Sequence, residues 1–119
     1  MLAISGGQVL RNTLQILPDL EALADVKIVA VTSPQLYEDL RRYDPKRAND
    51  ILSDEERPHV VTLHNGWGGF LHPFLLPGDY PQRVFGMDSI LRSGTPDEIY
   101  RRAGFDPASL REKLMTYLR

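Results

Sequence analysis

Three groups of residues in this sequence could carry chemistry: its histidines, a small-residue turn between a strand and a helix, and an aromatic on a glycine-rich loop. His59, His64 and His72 could be read as a metal set. Structural and catalytic zinc sites need three or four donors converging at recognised spacings. His59 and His64 are five apart on one predicted strand, and strand side chains alternate, so the two point to opposite faces. No carboxylate stands beside them in a ligand spacing. The expected metal set is therefore none: two strand-end histidines and one in a loop. Ser5-Gly6-Gly7 joins a strand to a helix, where backbone N–H groups and the helix dipole favour an anion. The three spaced glycines of a dinucleotide fingerprint and the Lys-Ser/Thr ending of a P-loop are both absent. Close helix–strand packing accounts for these glycines without a ligand. An anion at that helix end is kept as a candidate, and no cofactor-binding residue is assigned. Asn65-Gly66-Trp67-Gly68-Gly69 follows a predicted strand, at the end where open α/β sheets bind ligands. Trp67 is either an interface anchor, with Phe70 and Phe74 as neighbours, or a ring packed over the sheet edge.

Other chemistries find no support. There are no cysteines, which excludes disulfides, zinc–thiolate and iron–sulfur sites and thiol nucleophiles. Ser33, Ser53 and Ser93 lack the Gly-x-Ser-x-Gly context of a nucleophile elbow, and no carboxylate pair stands out as an acid–base couple. Arg41, Arg42, Lys46 and Arg47 interleave with Glu38, Asp39, Asp44 and Asp50, the pattern of a solvated, salt-bridged helix face. No catalytic residue is assigned. Fourteen basic and sixteen acidic residues give a net charge of -2 and a pI near 5.9, which offers no general footprint for nucleic acid or anionic membrane. No apolar run reaches the ~18 residues of a membrane span, and the start lacks the basic and long apolar regions of a signal peptide. The composition, 42% hydrophobic and 25% charged, is that of a soluble, cytoplasmic domain.

The elements that must hold these residues follow from local pattern. Residues 2–5 and 27–32 are short apolar runs, read as strands, as are residues 59–64 and 83–87. After Gly7, Val9, Leu10, Leu14 and Leu17 share one helical face, with Arg11, Asn12 and Gln15 opposite. Pro18 should end or kink that helix, or open a short second turn through Ala24. Ser33-Pro34 caps a helix with Leu36, Tyr37 and Leu40 inward, and Asp44-Pro45 starts another. Residues 53–58 read as a polar connector. Thr95-Pro96-Asp97-Glu98 is a capping box, Ile99, Tyr100 and Ala103 face inward, and Gly104 supplies the stop. Asp106-Pro107 opens a last helix striped by Leu110, Leu114 and Leu118. Strands alternating with helices predict one α/β domain over residues 1–119. Its expected form is three layers, α/β/α, with an open, mostly parallel sheet of about four to five strands.

The whole chain, and its last third above all, resembles the transketolase carboxyl-terminal domain family. The motifs are Val84-Phe85-Gly86-Met87-Asp88, then Arg92-Ser93-Gly94-Thr95-Pro96-Asp97-Glu98-Ile99-Tyr100, then Ala103-Gly104-Phe105-Asp106. Ile4-Ser5-Gly6-Gly7, Val29-Ala30-Val31-Thr32-Ser33-Pro34 and Val60-Val61-Thr62-Leu63 follow the family's earlier strands in order. The chain departs from the pattern at Ser89-Ile90-Leu91 and at His64, and the family's first strand is missing. That last departure fits a fragment or subunit of a larger enzyme. The resemblance implies a domain that supports a homodimer and shapes the substrate channel of a thiamine-diphosphate-dependent transketolase, deoxyxylulose-phosphate synthase or 2-oxo acid dehydrogenase E1-type enzyme. Thiamine diphosphate and a divalent metal such as Mg would be held by upstream domains or subunits, its partners, and not by this chain alone. No catalytic residue carries over. The alternative is a free-standing α/β binding or regulatory module of the flavodoxin or receiver kind, with an anion or nucleotide ligand. The receiver's phosphoacceptor chemistry is missing, because Ser5-Gly6-Gly7 and His64-Asn65 stand where its acidic residues belong.

Overall fold

The computed structural model describes residues 1–87 and 94–118, apart from the side chains of Pro81 and Leu118. Its elements are β1 (Leu2–Ser5), α1 (Gly7–Glu21), β2 (Ile28–Ala30), α2 (Pro34–Tyr43), α3 (Pro45–Ile51), β3 (Val61–His64), α4 (Tyr80–Arg83), β4 (Val84–Phe85), α5 (Pro96–Ala103) and α6 (Pro107–Leu118). Three 3₁₀ turns, Arg57–His59, Gly68–Phe74 and Pro77–Asp79, fill the connections. All strand pairs are parallel, in the order β2-β1-β3-β4. Alternation along β1 and β3 splits the core in two. Leu2, Ile4, Val61 and Leu63 pack with α1 and α6 on one face. Ala3 and Val60 pack with Tyr37, Ala48, Leu52, Leu71 and Phe74 on the other. The expected α/β/α architecture is therefore present, with four strands among the described residues.

Local chemistry explains why several elements start where they do. The Ser33 hydroxyl accepts the Leu36 N–H, and the Asp44 carboxylate accepts that of Arg47. Thr95 and Glu98 complete their reciprocal box, and Gly104, at φ 76°, ends α5 in the left-handed region. Other expectations are corrected. Pro18 neither ends nor restarts α1, which runs on to Glu21. It falls near the helix end and removes the N–H that would pair with the Leu14 carbonyl, while Leu20 beyond it is buried. The inward face of α1 is Val9, Asn12, Thr13, Ile16 and Leu20, leaving Leu14 49% exposed. Asn12 is inside because its amide donates to the Phe105 carbonyl at 2.9 Å. Leu36 points outward, and His59 lies in a 3₁₀ turn ahead of β3. β2 and β4 are shorter than expected, although hydrogen bonds from Leu2 to Lys27 and from Val31 to Ile4 continue the β1–β2 pairing at both ends. Asp88, Ser89-Ile90-Leu91, Arg92 and Ser93 lie outside the described residues, as does the Leu118 side chain of the α6 stripe.

Candidate functional site

A doubly wound sheet leaves a crevice at the carboxyl ends of the strands where successive connections leave in opposite directions. With the order β2-β1-β3-β4 that point lies between β1 and β3. Ser5 pairs with His64 across it, and His64 Nδ1 lies 3.2 Å from the Ser5 carbonyl oxygen. Gly6, at φ 112° and ψ 122°, precedes α1 without a side-chain cap. A Cβ built there would stand 2.8 Å from the Asn65 side-chain carbon. Close approach thus accounts for Gly6, while Gly7 has open space around it. Ser5, Gly6, Gly7 and the His64–Asn65 pair are brought together, as their positions at strand ends require.

The glycine-rich loop is fixed from the other side. The Met87 N–H donates to the Gly66 carbonyl at 2.7 Å, and a Cβ on Gly86 would approach the Gly68 backbone to 2.6 Å. On this clamped loop Trp67 is 68% exposed and Phe70 37% exposed. The Phe70 ring stacks on His64 at 4.6 Å. The two aromatics border a groove of about 390 Å³ against the start of α2, with Ser33, Pro34 and Glu38 opposite. Phe74 does not share this surface. It is 1% exposed and stacks on Tyr37 at 4.3 Å, so its place in the expected interface is corrected to core. The cause is the 3₁₀ turn at Gly68–Phe74, which at three residues per turn carries Phe74 round to the face that holds Leu71.

The histidines are dispersed: His59 lies at the amino end of the sheet, and His72 stacks on Tyr80 at 3.9 Å. No three His, Asp or Glu side chains converge among the described residues. Among the described residues the side chains with shifted ionisation are Glu56, Asp106 and Lys113, none of them a crevice residue. Glu56 is held below its usual range by the Ser53 N–H and Lys27, Asp106 by Ser109, and burial lowers Lys113. The basic cluster is exposed as expected, but Arg41, Arg42, Lys46 and Arg47 form no ion pair among the described residues. Sequence pattern missed Arg57, which the polar-connector reading left in solvent and which is only 6% exposed. A single arginine beside a proline gives no periodicity by which to find it. Comparison with protein-family models, curated proteins and solved structures found no match for this chain.

Proposed function

We propose that this chain is an assembly domain, the non-catalytic carboxyl-terminal domain of a thiamine-diphosphate-dependent transketolase or 2-oxo acid dehydrogenase E1-type enzyme. In that role it supports a homodimer and borders the substrate channel. The observation that supports this most is the exposed Trp67–Phe70 pair, held on a backbone-clamped loop at the carboxyl edge of the sheet. A large ring presented on a fixed loop has the character of an interface anchor, whereas a mobile loop would lose part of that energy to ordering. An antibody against this domain measures the size of the polypeptide in the source cell. A band several times larger than 13.5 kDa accords with the proposal, and thiamine-diphosphate dependence is then assayed on that full chain. A band at 13.5 kDa overturns it. Trp67→Ala in the full enzyme should weaken assembly, and unchanged assembly removes Trp67 from the contact.

One observation favours the second reading, a free-standing ligand-binding module. The strand order β2-β1-β3-β4 is that of flavodoxin-like sheets, whose ligands sit at the β1–β3 switch point. Here that point carries Ser5-Gly6-Gly7 beside Asn65. Titration with flavin mononucleotide, followed by amide shifts at Gly6 and Gly7, separates the two: saturable shifts there support the module, and none removes it.

A further inference from the structure

Away from the crevice, on the face covered by α2 and α3, the chain buries a positive charge that pairs with no carboxylate among the described residues. Arg57 is 6% exposed. One terminal nitrogen donates to the Tyr37 hydroxyl at 2.7 Å and the other to the Pro73 carbonyl at 3.0 Å. Among the described residues no carboxylate lies within 4.0 Å of it. A guanidinium carries five N–H donors, so these two bonds leave others unused. Removing an ion from water is expensive unless an opposite charge and further hydrogen bonds compensate.

The unused donors have a cleft to face. Arg57 lines a pocket of about 210 Å³ with Tyr37, Arg41, Asn49 and Asp54. The hydrogen bonds already made there fix which groups remain free. The Tyr37 oxygen accepts from Arg57, so its own proton is left to donate. The Asn49 side-chain oxygen accepts the Asp54 N–H at 3.3 Å, so its NH₂ group is left to donate. Arg41 adds a second guanidinium, placed 6.0 Å from the Tyr37 ring centroid. Four polar side chains from α2, α3 and the 57–59 turn thus offer donors, and Asp54, which is exposed, is the one anionic side chain in the lining. We propose that this cleft binds a tetrahedral oxyanion, inorganic phosphate or the phosphoryl end of a small ester. Two guanidiniums, an amide and a phenol suit the several oxygens of phosphate better than the two of a carboxylate.

The test is titration of the ¹⁵N-labelled chain with inorganic phosphate at constant ionic strength, with sodium acetate as the carboxylate control. Saturable shifts should fall on residues 37–41 and 48–57, and phosphate should bind more tightly than acetate. Arg41→Gln and Asp54→Asn change exposed side chains, so both should fold. The first should weaken phosphate binding roughly three-fold, the size of one solvent-exposed charge contact, and the second should strengthen it by a similar factor. A structural role for Arg57 alone predicts neither change. Glucose 6-phosphate binding more tightly than phosphate identifies an ester as the natural occupant, and weaker binding identifies the free ion. Shifts confined to the amino end of α1, or phosphate affinity indifferent to both variants, would overturn the proposal.

Discussion

Phe70 and Phe74 are four residues apart in one apolar run, yet the fold assigns them opposite roles, and mutation separates the two. Phe74 is 1% exposed, among Tyr37, Leu71 and Leu52 in the second core. Its replacement by alanine should cost about 3–5 kcal/mol for lost burial and the cavity left behind. Roughly 0.5–1.5 kcal/mol of that belongs to the stack on Tyr37. For a domain of this size each kcal/mol lowers Tm by about 3–6 °C, so Phe74→Ala should melt roughly 10–25 °C below the parent chain. Phe74→Leu keeps most of the volume and should cost about 1–1.5 kcal/mol. Trp67→Ala, at a 68% exposed site, should change stability by about 0.5 kcal/mol or less. Phe70→Ala should fall between, since its ring is stacked on His64 but partly in water. Urea denaturation followed by circular dichroism gives the order directly. The reasoning fails if Trp67→Ala or Phe70→Ala costs more than Phe74→Ala, because the 68–74 turn would then present a different face to the core.

Further expectations follow from the turns and caps. Gly6→Ala should destabilise by about 1–3 kcal/mol, since φ 112° is a glycine conformation. Gly7→Ala, with nothing near its Cβ, should instead stabilise by about 0.4–1 kcal/mol; thermal melts of the two variants check the opposite signs. Thr95→Ala removes the hydroxyl that accepts the Glu98 N–H, leaves the bond from its own backbone N–H to the Glu98 carboxylate, and should cost about 1 kcal/mol. Hydrogen exchange that is faster in α5 than in α6 would place that loss where it belongs. Glu56 has its folded-state pKa lowered by the Ser53 N–H and Lys27. Its contribution is therefore present above the unfolded value of about 4.3 and is lost as pH falls through the lower folded value. Urea midpoints between pH 7 and pH 3 should drop less steeply for Glu56→Gln than for the parent chain, and equal slopes would refute the assignment.

What was legible in the sequence is what neighbouring residues decide among themselves. Ser33, Asp44 and Thr95 each cap a helix through an N–H three positions ahead, and the apolar runs of β1 and β3 alternate between two cores as strand geometry demands. The crevice was legible for the same reason, because Ser5-Gly6-Gly7 and His64-Asn65 are the residues that end adjacent strands. What escaped was decided at long range. Asn12 counted as a solvent residue until Phe105, from the far end of the chain, offered a carbonyl. Arg57 counted as part of a connector until Tyr37 and Pro73 closed over it. Phe74 was grouped with Phe70 because the sequence does not state the three-residue period that turns it inward. Two of these three misplaced residues are polar side chains that hydrophobic patterning assigns to water. They differ in one respect: Asn12 is neutral, and the bonds it makes as donor and as acceptor both stay inside the fold. Arg57 is charged, and its unused donors open on a cleft lined by other donors. A buried polar residue whose bonds all stay within the fold explains packing. One that is partly paired and faces a cavity asks for an occupant, which is why the argument for a ligand rests on Arg57 and not on the glycines of the first turn.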